Sequence, residues 1–167
     1  MAENKQEIIQ GLKNKFNKKL FVENDRRYWV SIISPTLLET CQWLKDQGFV
    51  HLSSISVTDW LEKKEYELTY HVWSYEAKIL VTLKTRVNRD KPVIHSVSSV
   101  WHESAQIHER ELHELFGVHF TGNDDLLPLF LEDWNGPSPF RKDFNWRTYV
   151  TDEFYSKEND RERIYYD

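Results

Sequence analysis

Residues 66–87 read YELTYHVWSYEAKILVTLKTRV, and this stretch decides the fold. From Tyr66 and Leu68 onward every second residue is apolar, and the same period of two returns from Ile79. Because side chains alternate between the two faces of a strand, each run predicts a strand with one buried face. The break between the runs, near 76–77, is short. The stretch therefore predicts two antiparallel strands joined by a tight turn.

Helices and further strands are predicted on both sides of this hairpin. Apolar residues that return every three to four positions predict helices at 4–16, 35–47 and 102–116. Runs rich in β-branched and aromatic residues predict strands at 28–33, 49–57 and 93–97. The fold class is therefore α+β: a domain over residues 1–120 with a mostly antiparallel sheet and helices packed on one face.

Residues 121–167 are predicted to form an extended, partner-binding tail. Prolines and glycines interrupt the segment, and only the residues near 126–131 have the period of a helical turn. The tail nevertheless holds 10 of the 24 aromatic residues of the chain. A segment without periodicity cannot bury that much aromatic surface by itself, so we expect another surface, chiefly that of a partner, to cover and order it.

Charge and cysteine content exclude several classes of protein. The 167 residues carry 27 acidic and 22 basic side chains, a net charge of −5, and the basic residues are dispersed. Neutralising phosphates needs a basic stripe, so we expect no nucleic-acid partner. The single cysteine, Cys41, excludes any iron–sulfur cluster or zinc site that needs several thiolates from this chain. No apolar run has the length of a membrane helix or a signal peptide, which predicts a cytoplasmic chain with no direct membrane span.

The segment HERELH, residues 108–113, resembles a zinc-hydrolase motif but has the wrong spacing. That motif needs histidines four residues apart on one helix face, whereas His108 and His113 are five apart and about 140° apart around a helix. One alternative stays open, a stand-alone metal-dependent hydrolase in which histidines gather around a metal with Glu109 or Glu111. Its candidate histidines are His102, His108, His113 and His119.

The run from Ser96 to Phe144 carries a set of spaced motifs. They are Ser96, Trp101, Ala105, the triplet Glu109-Arg110-Glu111, Phe116-Gly117-Val118, Gly122, Asp125-Leu126, Asp133-Trp134 and the tetrad Arg141-Lys142-Asp143-Phe144. Together these motifs resemble the signature region of one subunit of the proton-pumping NADH–quinone oxidoreductase, the subunit that is called the 30-kilodalton subunit in mitochondria. A likeness also extends upstream through residues 52–71.

The resemblance implies an α+β subunit without a cofactor or catalytic residue of its own. It implies docking, through helix and tail, on a large subunit related to the nickel–iron hydrogenases, beside an iron–sulfur small subunit, with iron–sulfur clusters held by these partners. The implied place is the peripheral arm of a membrane-bound, ion-translocating oxidoreductase, on the cytoplasmic side. Four departures from the family pattern resemble the homologous subunits of ferredoxin-linked hydrogenase complexes. They are Ile107, Glu114, the loss of two arginines after Gly122, and one additional residue between Trp134 and Arg141.

Ten residues are expected at the partner interface. They are Glu109, Arg110, Glu111, Asp125, Trp134, Phe140, Arg141, Lys142, Asp143 and Phe144. The triplet at 109–111 lies off the apolar stripe of Leu112, Leu115 and Phe116. We therefore expect its charges to face solvent or a partner and to pair with opposite charges across the interface.

Overall fold

The computed structural model describes residues 2–155. The helices are α1 (Ala2–Phe16), α2 (Leu37–Asp46), α3 (Ser98–Phe116) and α4 (Trp146–Val150). The strands are β1 (Leu20–Val22), β2 (Arg27–Ser31), β3 (His51–Trp60), β4 (Glu65–Ser74), β5 (Ile79–Asn88), β6 (Val93–His95) and β7 (His119–Thr121). Short turns of 3₁₀ helix cover Asn17–Lys19, Ser34–Thr36 and Leu61–Lys63.

Five strands form the main sheet in the order β1-β2-β5-β4-β3. The predicted hairpin of β4 and β5 is confirmed, with Tyr70 opposite Leu83, and β3 pairs antiparallel with the other side of β4. Strand β2 runs parallel to β5, with Tyr28 opposite Val81, and β1 pairs antiparallel with β2. The sheet is therefore mostly antiparallel, as predicted, and it contains one parallel pair that local pattern did not predict.

Helices α1, α2 and α3 cover one face of this sheet. Residues of all three helices, among them Leu12, Cys41 and Ala105, share one apolar core with the sheet. On the sheet side the core is built by alternate residues of β4 and β5, namely Tyr66, Leu68, Tyr70, Val72, Ile79, Val81 and Leu83, all of them 0% exposed. Because alternate residues of a strand share one face, the period of two read from the sequence is the reason that this face is apolar. The predicted α+β arrangement is confirmed.

Helix α3 begins four residues before the predicted position and contains a break. The backbone leaves helical geometry at Trp101 and His102, where φ of His102 is +30°. At this break the buried Trp101 indole N–H donates to the Phe49 carbonyl at 3.1 Å. A helix interrupted after one turn has no continuous 3.6-residue period at its start, so the pattern showed only the later part. The helix ends at Gly117, φ +77°, as predicted.

The tail has no regular element from 122 to 145 and then becomes helical. The Asn145 side chain accepts hydrogen bonds from the Arg147 and Thr148 N–H groups and caps α4, which a wider helical turn follows at Thr151–Tyr155. The prediction of an extended tail is therefore wrong for residues 146–155, which are helical. The division between 120 and 121 stays a prediction, and residues 156–167, with Tyr165 and Tyr166, lie outside the described residues. Within 2–155 no helix has the length and apolar content needed to cross a membrane.

Candidate partner-binding surface

The side chain of Glu109 lies on the buried side of α3 and does not face outward. Its Oε1 accepts a hydrogen bond from the Val97 N–H at 2.7 Å, and its Oε2 accepts from the Ser96 hydroxyl at 2.7 Å and the Asn123 amide at 2.8 Å. A buried carboxylate is tolerated when donors surround it in this way. The expectation that Glu109 faces solvent or a partner is therefore wrong, since its side chain is 0% exposed and ties α3 to the segments after β6 and β7.

Burial changes the pKa values of Glu109 and of the nearby Cys41. Burial raises the pKa of the Glu109 carboxyl, and the hydrogen bonds from Ser96, Val97 and Asn123 offset part of that rise. Burial, with the nearby Glu109 charge, also raises the pKa of the Cys41 thiol. Because the thiolate is the reactive form of cysteine, Cys41 is an inert core residue.

Arg110 points outward from α3 and binds the tail of its own chain. Its Nε donates to the Leu127 carbonyl at 2.9 Å and its Nη2 to the Pro128 carbonyl at 2.8 Å, while Nη1 lies 3.8 Å from the Asp125 carboxylate. The structure thus brings two predicted interface residues, Arg110 and Asp125, together within the chain. Glu111 is partly exposed and lies 3.9 Å from the His108 ring. Contact of these residues with a partner stays a prediction.

Glu114 fixes the next segment of the tail, a role that its departure from the family pattern did not predict. Its carboxylate accepts hydrogen bonds from three consecutive backbone N–H groups, those of Leu129 at 3.2 Å, Phe130 at 3.0 Å and Leu131 at 2.6 Å. Because these N–H groups bind a side chain at least 15 residues upstream, they do not form helical hydrogen bonds, and residues 126–131 have irregular structure. The helical turn expected there is therefore wrong.

Arg89, directly after β5, joins the sheet domain to the tetrad at 141–144. Its Nε and Nη2 donate to the two carboxylate oxygens of Asp59 at 2.7 and 2.9 Å, and its Nη1 and Nη2 donate to those of Asp143 at 2.9 and 2.6 Å. The Lys142 N–H also donates to Asp59 at 3.0 Å. Arg141 lies 3.3 Å from Asp143. One predicted interface residue, Asp143, therefore binds a buried arginine that the sequence analysis did not identify, and the neighbouring Arg141 and Lys142 bind the two carboxylates that surround it.

This cluster is strongly ionised. Hydrogen bonds from Arg89, and then from Arg141, hold the pKa of the Asp143 carboxyl well below its usual range. Burial raises the pKa of the Asp59 carboxyl, but hydrogen bonds from Arg89 and the Lys142 N–H lower it by more. The two carboxylates in turn raise the pKa of Arg89. Charge-assisted bidentate bonds of this kind are among the strong ones in proteins.

The aromatic residues of the tail form a small cluster of their own. The Trp134 ring centroid lies 6.1 Å from Phe144 and 5.0 Å from Tyr149, and the last two lie 5.5 Å apart. Phe140 packs edge-on against Phe116 at 5.8 Å. With the bonds of Arg110, Glu114 and Arg89, these contacts join residues 125–149 to the domain of the same chain. The expectation that a partner chiefly orders the tail stays a prediction.

Several large apolar side chains of the anchored tail remain exposed. We call them the tail surface: Leu127, Phe130, Phe140, Trp146, Phe154 and Tyr155, with exposed fractions between 49% and 72%. Trp134 and Phe144, also predicted at the interface, are partly buried in the aromatic cluster. An exposed apolar set on a fixed backbone has the character of a binding surface.

The histidines do not assemble a metal centre. In the part of the chain that the structure describes, no group of three or more His, Cys, Asp or Glu side chains is placed to hold a metal ion. His113 bonds the Val118 carbonyl through Nδ1 at 2.8 Å and stacks edge-on with His119, while Glu109 is occupied by its own donors. The metal-dependent hydrolase hypothesis is therefore without support from these residues.

Comparison with known proteins gives a consistent result. The family described as respiratory-chain NADH dehydrogenase, 30 Kd subunit, matches residues 30–150. The corresponding subunit of the F420H2 dehydrogenase of Methanosarcina mazei is 37% identical over 142 residues, which cover 82% of this chain and 89% of the relative. That of the NADH-quinone oxidoreductase of Geobacter sulfurreducens is 32% identical over 150 residues, which cover 86% of this chain and 91% of the relative.

Two solved structures share the fold. A chain in the membrane-bound sulfane sulfur reductase, an archaeal respiratory membrane complex, matches with a TM-score of 0.80 and 28% identity over 93% of both chains. A trypsin-resistant fragment of Nqo5 matches with a TM-score of 0.61 and 22% identity, over 71% of this chain and 99% of the fragment. This protein belongs to the family of the 30-kilodalton subunit of respiratory-chain NADH dehydrogenase, as its signature residues predicted.

Proposed function

We propose that this chain is a non-catalytic structural subunit in the peripheral arm of a complex I-related, membrane-bound redox complex. The observation that carries the proposal is the tail surface, where apolar side chains such as Phe130 and Trp146 stay exposed while intrachain bonds hold the nearby backbone. A surface that is already ordered loses little conformational entropy when a partner covers it. The tail is therefore suited to dock firmly on another subunit.

The proposed partner is a large subunit related to the nickel–iron hydrogenases, with an iron–sulfur small subunit beside it. Two findings support a multi-subunit setting: the relatives are named as subunits of a dehydrogenase and of a quinone oxidoreductase, and the structural match lies in a membrane-bound reductase complex. The complex is of the hydrogenase or of the NADH or ferredoxin dehydrogenase type. In this proposal the partners hold the iron–sulfur clusters and attach this chain to the cytoplasmic side of the membrane.

Purification of the native complex tests the proposal. An affinity tag on this chain, followed by mild solubilisation of membranes and mass spectrometry, should recover a hydrogenase-like large subunit and an iron–sulfur small subunit in equal amounts. Cross-links from Lys142, which is in the tail, should reach the large subunit. A chain that is recovered alone, or only with proteins unrelated to redox complexes, contradicts the proposal.

Two matched variants test the tail surface itself. Phe130 in the tail and Phe21 on the edge strand β1 are the same residue type and are both 64% exposed. Phe130→Ser should lower recovery of the large subunit about tenfold, since an interface anchor is worth about 1.4 kcal/mol or more. Phe21→Ser should leave recovery unchanged, and neither variant should shift the melting temperature of the isolated chain. Equal recovery with both variants, or a loss confined to Phe21→Ser, contradicts docking through the tail.

A further inference from the structure

We propose that Arg89 is a latch that holds the tail from Arg141 onward against the sheet domain before any partner binds. The inner half of the latch is the pair of Arg89 with Asp59, and the outer half is the pair of Arg89 with Asp143. The two halves differ in burial: the inner pair is almost fully buried, whereas Asp143 of the outer pair is partly exposed. The outer pair can therefore open while the inner pair stays closed.

The inner pair is a permanent part of the domain. The side chains of Arg89 and Asp59 are only 4% and 2% exposed, and two hydrogen bonds join them. The Arg89 backbone N–H is also bound, to the Lys64 carbonyl at 2.9 Å, and its guanidinium lies 5.6 Å from the centre of the Tyr66 ring. Separating such a pair leaves a buried charge without its partner, which is strongly unfavourable. The guanidinium therefore keeps its position when the tail moves.

The outer pair can open without unfolding the domain. The Asp143 side chain is 46% exposed, so water can take over its hydrogen bonds when it leaves Arg89. Arg141, two residues away in the same segment, lies 3.3 Å from the Asp143 carboxylate and stays beside it when the segment moves. Upstream, Arg110 and Glu114 hold residues 127–131 by separate bonds. Opening therefore loosens only the segment after Phe140, which keeps the Lys142 N–H bond to Asp59 and the ring contacts with Trp134 as its remaining attachments.

The freed segment contains part of the tail surface. It carries Phe144 and Tyr149 of the aromatic cluster, and α4 with the exposed Trp146. A closed latch places these side chains in one fixed arrangement, so a partner does not need to order them on binding. This second step, from latch to assembly, rests on the proposed function, whereas the latch itself does not.

Hydrogen exchange of the full-length chain tests the latch. The reporters are the backbone N–H groups of Phe144, bound to the Arg141 carbonyl, and of Tyr149, bound to the Asn145 carbonyl, each at 3.0 Å. Asp143→Asn should speed their exchange about tenfold and leave the amides of β4 and β5 unchanged, as expected for local opening. The control Asp124→Asn, an exposed aspartate of the same tail, should change neither set. Unchanged exchange at Phe144 and Tyr149, or equal acceleration in the sheet, overturns the latch.

Recovery of the partner separates the latch from the proposed function. Asp143→Asn, tagged and expressed in place of the native chain, should recover less of the large subunit than Asp124→Asn does. Equal recovery overturns the role of the latch in assembly. A wild-type chain that recovers no partner overturns the proposed function, while the exchange result still decides whether the latch exists.

Discussion

Tyr66 and Tyr70 lie four residues apart on the apolar face of β4, but among residues 2–155 only the Tyr66 hydroxyl has a hydrogen-bond partner. It donates to the Phe116 carbonyl at the end of α3, at 3.1 Å. The Tyr70 hydroxyl is buried beneath the helices and has no partner within residues 2–155. Burial raises the pKa of both phenols, so both stay protonated at neutral pH. The two positions therefore form a natural matched pair.

Removing the two hydroxyl groups should change stability in opposite directions. A buried hydroxyl without a partner is unfavourable, so Tyr70→Phe should raise the free energy of unfolding by about 1 kcal/mol. Tyr66→Phe loses a hydrogen bond and should lower it by about 1 kcal/mol. Urea unfolding followed by circular dichroism measures both. A loss of stability in Tyr70→Phe would mean that its hydroxyl does find a partner in solution.

Glu109 should behave as a core residue and not as an interface residue. Glu109→Ala leaves the Val97 N–H, the Ser96 hydroxyl and the Asn123 amide without their acceptor, and we expect a loss of about 3 kcal/mol in the free energy of unfolding. Two residues further along α3, Glu111→Ala is the control and should change stability by less than about 0.5 kcal/mol. Similar stabilities for the two variants in urea unfolding would contradict this assignment.

Acid should weaken the attachment of the tail. The pKa values of Asp59 and Asp143 are lower in the folded chain than their usual 3.8. A carboxyl of this kind stabilises the fold above its unfolded pKa, and the contribution is lost as the pH falls through the folded pKa. We expect the free energy of unfolding to decrease below about pH 4, and to decrease less steeply in Asp143→Asn. Urea unfolding curves at a series of pH values measure both slopes, and identical slopes would contradict the prediction.

Gly136 should be essential for the aromatic cluster of the tail. A Cβ atom at this position would lie 2.7 Å from both the Trp134 ring and the Tyr149 ring, closer than real Cβ contacts. Gly136→Ala should therefore separate these rings and weaken the near-ultraviolet circular dichroism of the tail. It should also lower the free energy of unfolding by about 1–3 kcal/mol.

Gly11 is the control for that substitution. It lies inside α1, where an added Cβ meets its nearest neighbours at ordinary contact distances, 3.8 Å from Gln47 and Trp43. Gly11→Ala should raise the free energy of unfolding by about 0.5–1 kcal/mol, because alanine favours a helix interior. A stable Gly136→Ala variant with an unchanged aromatic signal would contradict the close packing of the cluster.

Local periodicity predicted most of the main sheet and its helices. The strands β4 and β5 and the helix α2 each have one apolar face, and an apolar face imposes a period of two or of about 3.6 on its own segment. The start of α3 escaped prediction because the break at Trp101 and His102 interrupts that period. The parallel pairing of β2 with β5 was not predicted either, because the alternation of residues in a strand does not indicate which other strand lies beside it.

The sequence by itself determined the α+β fold class and, through the spaced motifs between Ser96 and Phe144, the family. Only the tertiary structure decided what the charged motif residues contact. Glu109 faces inward because Ser96, Val97 and Asn123 supply donors there, and Asp143 is held by Arg89, which lies 54 residues away in the chain. The physical reason is distance along the chain. A period is set by neighbouring residues of one element, whereas the solvation of a charge is set by whichever distant segments the fold brings beside it.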